Sequence, residues 1–392
     1  MEKPVEDFLK IVLAVSRLVD NRTGIDPLLS RSIYDYGVQD PGWNWLEIDR
    51  TIERVSNSLP SLPPQRSAFT GDFLEAFRIM VREGMGESVP YQERVQAYLQ
   101  VSAEPVLQST IDALRNELQQ KLITCGYADE LLTAYRQWSQ DCKIAPEDLY
   151  QAGQEILDLA RQRTNELVLA DPQQHQIELN FPNNYPYNGY SDYSRGYRGR
   201  IFLNGDVQYT LPGLKHLICH EALPGHQLFS ALREELYGRG VMPVEGTVYL
   251  ANTPISAIVE GNCEVGQQML GMDDTADDEI YDLYNRYASA ISTNLAIACN
   301  ADGMDQETAV HFLMEQVFIS NEEAVRRHAF FTNPLWHTSF PHYWFGREMM
   351  RSNFARMKEY LPEYYRMVYQ EAHTVRTLGE RIDQFLELKK IN

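Results

Sequence analysis

Positive charge is in short supply in this sequence relative to negative. Its 392 residues carry 35 Lys and Arg against 55 Asp and Glu, a formal net charge of −20. A field of that sign repels phosphate backbones and anionic lipid, which argues against a nucleic-acid partner and leaves neutral and cationic peptides open. Cysteine is scarce and unpatterned. Cys125, Cys142, Cys219, Cys263 and Cys299 are odd in number and include no C-x-x-C pair. Reduced thiols in a cytoplasmic protein are expected, not a disulfide framework. No run approaches the roughly 20 apolar residues of a transmembrane helix, so no membrane partner is expected. The segment Met1 to Asp7 is acidic and polar, and the apolar run Ile11 to Val15 is too short for a signal-peptide core. Internal repeats and low-complexity tracts are also missing.

What remains is an ordinary globular composition, 44% hydrophobic and 23% charged, long enough for one large domain or two medium ones. Up to about residue 170 the pattern is helical. Phe8, Ile11, Val12, Val15, Leu18 and Val19 recur at three- and four-residue steps. Further helices are expected over Leu46–Leu59, Phe73–Val81, Val95–Val101, Pro105–Cys125, Tyr127–Cys142 and Pro146–Ala170, with the cluster Pro60, Pro63, Pro64 and the pair Asp171-Pro172 as terminators. Phe181 to Gly205 is rich in tyrosine, Asn, Gly and Pro, which reads as loop and short strand. Helical pattern returns after Leu211-Pro212-Gly213. It predicts Pro254–Leu270, Glu279–Cys299, Thr308–Ile319, Glu322–Phe330, Tyr343–Met357 and Tyr364–Leu388. The expected fold is therefore mainly α and multi-helical, with a small sheet between about Ile177 and Asn204. A helical scaffold over residues 1–170 and a functional part over 171–392 would form one continuous domain.

Chemistry concentrates in Lys215-His216-Leu217-Ile218-Cys219-His220-Glu221-Ala222-Leu223-Pro224-Gly225-His226, where three of the nine histidines fall within eleven residues. A histidine followed directly by glutamate is the core of the zinc-peptidase arrangement: two imidazoles bind the metal and the glutamate acts as base toward water. The usual spacing of four puts both imidazoles on one helical face. Here His220 and His226 are six apart, and an unbroken helix would rotate them roughly 240° from one another. Pro224-Gly225 can interrupt the helix and swing His226 back. The pair His216 and His220 has the regular spacing but gives Pro-Gly-His no purpose. A plain helix end at Pro224-Gly225 with incidental histidines is the bland reading.

Downstream, Glu260-Gly261-Asn262-Cys263-Glu264 lies on an expected helix with apolar neighbours Ile258, Val259 and Val265. Two histidines still need a third ligand. Glu260 and Glu264 share a helical face, so one can bind metal while the other orients a ligand histidine.

These residues resemble the bacterial family known as domain of unknown function eight-eight-five, whose members carry H-E-A-x-P-G-H-H and E-G-W-A and are similar to gluzincin metallopeptidases. The matching residues are His220 to His226 and Glu260-Gly261. Tyr343-Trp344-Phe345-Gly346 resembles a Y-x-x-G near the family's C-terminus. The likeness spans about Tyr187 to Arg347, and Gln227 and Asn262 depart from it. It implies a gluzincin-like fold with a small sheet beside the metal helix, zinc held by His220, His226 and Glu260, Glu264 in support, and Glu221 as general base toward a peptide substrate. Tyr343 would donate to the oxyanion, with His342 and His337 as runners-up. Asn204, Tyr197 and Arg347 are the substrate-binding candidates. The strand before Asn204 would pair with an extended peptide, and the tyrosines from Tyr187 to Tyr197 would line the cleft. Arg195, Arg198 and Arg200 can receive a carboxylate. The competing expectations are a metal- or peptide-binding protein without turnover and a hydrolase of another amide or ester.

Overall fold

The computed structural model describes residues 1–23, 37–185 and 188–391; Tyr187 lies outside them. The chain opens with helices α1 (Lys3–Thr23), α2 (Trp45–Ser58), α3 (Pro64–Gly84), α4 (Tyr91–Leu99), α5 (Gln108–Thr124), α6 (Leu131–Asp141) and α7 (Leu149–Arg163). Strands β1 (Gln176–Asn180), β2 (Gly189–Ser194) and β3 (Arg198–Leu203) follow. Then come α8 (Leu211–Glu221), α9 (His226–Gly238), α10 (Ser256–Glu264), α11 (Gly266–Met269), α12 (Ala276–Ile297), α13 (Gln306–Gln316), α14 (Asn321–Phe331), α15 (Arg347–Arg356), α16 (Leu361–Tyr365) and α17 (Val375–Ile391). The protein is mainly helical, and its strands occupy almost the interval expected from the sequence. No helix among the described residues is long and apolar enough to cross a membrane. All five cysteines are free.

Local chemistry accounts for the element ends. Asn44 and Glu47 form a reciprocal capping box that starts α2, and Leu59-Pro60-Ser61 turns the chain before α3 begins at Pro64. Pro105 does not open α5. The Val106 N–H and carbonyl are both held by the Asn294 amide, at 2.7 and 2.9 Å, which keeps the chain extended up to Leu107. The single helix expected over Tyr364–Leu388 is broken between Gln370 and Val375. There the Val375 N–H donates to the Pro254 carbonyl, and the Thr377 and Thr374 hydroxyls and amides bond one another. Local Ser/Thr bonding of this kind competes with helix continuation.

The sheet has the order β1-β3-β2, with β1 parallel and β2 antiparallel to β3. The β2–β3 turn takes left-handed backbone at Gly196 and Tyr197, φ +83° and +60°. Strand β3 is thus central, and β2 is an edge strand.

Two cores hold the fold, and each draws on both sides of residue 170, so the expected division there is not a packing boundary. The larger joins Phe8, Phe73 and Phe77 to Leu214, Phe229, Ile258 and Tyr369. The smaller joins Leu118 and Trp138 to Ile291, Leu313, Phe331 and Trp344. Helix α8 emerges from the first core carrying the motif residues at its C-terminal end.

Candidate metal centre

Helix α8 is capped by Thr210, whose Oγ1 accepts from the Gly213 N–H. It ends at Glu221 because Ala222 leaves helical backbone, φ −104° and ψ −94°. The break is tight: the Gly225 N–H donates to the Cys219 carbonyl at 3.1 Å and the Gln227 N–H to the Ala222 carbonyl at 3.2 Å. Only glycine fits at position 225, where a Cβ would come within 1.8 Å of the His220 carbonyl oxygen. Tyr369 fixes the break from outside. Its hydroxyl donates to the Pro224 carbonyl and accepts from Asn262 Nδ2, both at 2.7 Å. Helix α9 restarts at His226, and the His220 and His226 ring centroids lie 5.1 Å apart. The six-residue spacing is thereby reconciled.

Helix α10 faces these rings, placed by two further glycines. A Cβ on Gly261 would sit 2.2 Å from the Gly346 carbonyl oxygen, and one on Gly346 would sit 2.6 Å from the Ala257 carbonyl oxygen. Two backbones therefore cross in direct contact, α10 against the π-helical segment His342–Gly346 that leads into α15. The glycines of the second and third motifs are each other's neighbours.

That crossing puts Glu260 between the two imidazoles. His220 Nε2 is 3.3 Å from Glu260 Oε2, and His226 Nε2 is 3.5 Å from Glu260 Oε1. Charge-assisted hydrogen bonds are shorter, about 2.7–2.9 Å. Ligands about 2.0–2.1 Å from a tetrahedral zinc lie about 3.3–3.4 Å from one another, so these three side chains could hold such an ion. The three ligand atoms that all lie within 4.8 Å of one another are nitrogens of His220 and His226 and the Cys263 sulfur, whereas Glu260 meets the two imidazoles through different oxygens. His216, His220 and Glu264 form a second such group, but there the Arg347 guanidinium touches Glu264 and opposes a cation.

Glu264 stands against the opposite side of the His220 ring. Its Oε1 lies 3.2 Å from His220 Nδ1, which leaves Nε2 to face Glu260. Its Oε2 contacts Arg347 and stands 3.7 Å from His216 Nε2. Arg347, expected at the substrate, is instead 1% exposed and faces Glu264. Tyr249, which the sequence gave no reason to single out, donates its hydroxyl to Glu260 Oε1 at 3.2 Å.

The electrostatics follow from burial. Burial alone would raise the Glu260 carboxyl, but His226 and His220 outweigh it and hold the group well below the usual range. Burial raises Glu221, and the two histidines only partly offset that. No hydrogen bond acts on its carboxylate among the described residues. Above it lies the start of β2, where a Cβ on Gly189 would be 2.8 Å from Glu221 Oε1. Burial pushes the Cys263 thiol well up, with Glu260 and Glu221 adding to the effect, and lowers His342 to about 4. Both His342 ring nitrogens are buried without a hydrogen-bond partner among the described residues, and its ring packs 4.3 Å from that of Tyr343. Glu260, His220 and His226 all act on it, as Tyr343 acts on Tyr249.

Other sequence candidates lie elsewhere. Asn204 is buried with its amide spent on the Tyr185 carbonyl and the Asp206 N–H. The strand before it, β3, is paired on both edges and cannot receive a peptide. Tyr197 sits in the β2–β3 turn, which docks on Glu234 of α9 through the Gly196 N–H and the Tyr193 hydroxyl. Arg200 pairs with Asp192, and Arg195 lies 4.0 Å from Glu234. His337 is tied to Arg94 and to the Asn333 and Pro334 carbonyls.

No protein-family model matches the chain, and no curated protein matches it in sequence. Solved structures do share the fold. A candidate lipoprotein from Colwellia psychrerythraea superposes with a TM-score of 0.60 at 14% identity, over 87% of this chain and 60% of that one. A candidate lipoprotein of unknown function from Shewanella oneidensis gives 0.57 at 12% identity, over 94% and 73%. The chain thus spans about three-fifths of the Colwellia protein's length.

Proposed function

We propose that the protein is a zinc-dependent peptidase of gluzincin type, related to the family its motifs resemble. One observation carries the reading: the two oxygens of Glu260 lie 3.3 and 3.5 Å from His220 Nε2 and His226 Nε2, with the Glu221 carboxylate, unbonded among the described residues, beside them. His220, His226 and Glu260 would hold the ion, and Glu264 would fix the tautomer of His220. Zinc supplies Lewis acidity and makes water a nucleophile at neutral pH. Glu221, raised by burial, is suited to take a proton from that water and deliver it to the leaving amine. Tyr343 and His342 are the candidate donors to the developing oxyanion, and His342 is neutral at physiological pH. A peptide would lie along the edge strand β2, whose first residue lacks a side chain above Glu221.

The test is Glu221→Gln, which preserves size and removes the base. The variant is expected to keep about one zinc per chain by elemental analysis. Its hydrolysis of a peptide library should fall by about 10²–10⁴-fold. Equal cleavage by both proteins would sink the mechanism.

A further inference from the structure

Cys263 has no part in the mechanism above, yet it faces the same two imidazoles. Its sulfur and nitrogens of His220 and His226 lie within 4.8 Å of one another. It follows Glu260 by three residues on α10, so both side chains project from one helical face. The thiol is 1% exposed. A thiol in an ordinary apolar core has no pair of imidazoles directed at it.

We propose that Cys263 is a fourth ligand of this centre, so that His220, His226, Glu260 and Cys263 together can enclose the ion. The inference rests on the metal-centre reading above. The step would be a ligand exchange: the Cys263 S–H bond breaks and its proton passes to solvent, sulfur takes the fourth position, the water that would otherwise occupy it is released, and no electron is transferred. Two consequences follow from the chemistry of the donor set. A thiolate shifts preference toward soft and borderline ions such as cadmium and zinc and away from manganese and magnesium. Four protein ligands also fill a tetrahedral site, whereas catalytic zinc sites keep one position open. Cys263 thus competes with water for the fourth position, and the chain can hold its ion in a closed, non-hydrolytic form.

Cobalt(II) substitution tests this directly. The cobalt-loaded full chain is expected to show an intense near-ultraviolet thiolate-to-cobalt charge-transfer band. Cys263→Ser and Cys263→Ala should each lose the band while retaining about one cobalt by elemental analysis, with folding checked by circular dichroism. In competition the wild type should favour cadmium over zinc by at least about tenfold more than either variant does. Cobalt bound by the wild type without the band overturns the inference and leaves the metal-centre reading standing. A band that survives both substitutions assigns the thiolate to another cysteine and overturns it equally. A wild type that binds no cobalt, zinc or cadmium overturns both readings together.

Discussion

Arg347 and Glu264 form the contact on which the centre's geometry depends, and the dependence can be measured. Arg347→Met keeps length and apolar packing but leaves the Glu264 carboxylate buried with two imidazoles, at 3.2 and 3.7 Å, and the Asn285 amide at 3.5 Å. Removing one partner of a buried ion pair costs about 3–5 kcal/mol. At about 2.1 cal/mol/K per residue, 392 residues unfold with an entropy near 0.8 kcal/mol/K, so the expected drop in Tm is about 4–6 °C. Adding Glu264→Gln removes the uncompensated charge and should restore much of that loss. Glu264→Gln alone strands the arginine, and it also deprives the His220 Nδ1–H of its carboxylate, which should weaken zinc by about 10–100-fold. The assays are thermal melts of metal-free protein and zinc titration against a competing chelator. The alternative seen from the sequence, Arg347 as a substrate ligand, makes the opposite forecast: a raised KM at unchanged Tm. A Tm shift below about 1 °C, or a double variant no more stable than Arg347→Met, would refute the structural role.

Gly261→Ala would drive a Cβ to within 2.2 Å of the Gly346 carbonyl oxygen, where backbone and not a flexible side chain must yield. A loss of about 1–3 kcal/mol or more is expected in urea unfolding, with weakened zinc binding because Glu260 and Glu264 move with α10. His337 is lowered to about 4 by burial and by Arg94, so the folded state resists its protonation. Stability from this group is full above about pH 6.5 and declines as pH falls toward 4. Allowing for its partial exposure, about 1–2 kcal/mol should be lost between pH 7 and pH 5. His337→Gln should flatten that part of the profile, and an unchanged pH dependence of the urea midpoint would contradict the assignment.

Much of this arrangement was legible in the residues. Apolar periodicity located most helices to within a few positions, and the tyrosine-rich interruption marked the sheet. The arithmetic of six residues at about 100° each required a break between His220 and His226, and Pro224-Gly225 supplies it. What could not be read was set by tertiary contact. Sequence spacing says that Glu260 and Glu264 share a face, but not that Arg347 comes back from 83 residues downstream to neutralise one of them. Tyr249 lies in an irregular stretch with no period to flag it. Strand order was equally hidden: the strand before Asn204 looked free to pair with a peptide, whereas the sheet places it centrally and leaves β2 at the edge. Cys263 was visible as the i+3 neighbour of Glu260, and its position there was the signal that could have drawn attention to it.

The two positions at which the chain parts from the family it resembles behave alike, and neither removes a ligand. Gln227 takes the place of a second histidine and is fully occupied. Its Nε2 donates to Ser191 Oγ at 2.8 Å and to the Asp192 carbonyl at 3.1 Å, while its Oε1 faces His175 Nε2 at 3.2 Å. His175 is in turn held by Asp171 at 2.6 Å. A Cβ on Gly199 would come within 1.9 Å of Gln227 Oε1, so the strand has room for this amide only because glycine stands there. Asn262 takes the place of a tryptophan and reaches the Pro224 carbonyl through the Tyr369 hydroxyl. Both side chains hold the Ala222–Gly225 break, one from the sheet and one from the C-terminal helices, and that break is what aims His226. These departures therefore bear on how firmly His226 is positioned, while the ligand atoms stay in place. On the proposed metal-centre reading, Cys263 is the residue whose chemistry would reach the ion itself, so occupancy of the fourth position, and not Gln227 or Asn262, would decide between a peptidase and a closed metal site.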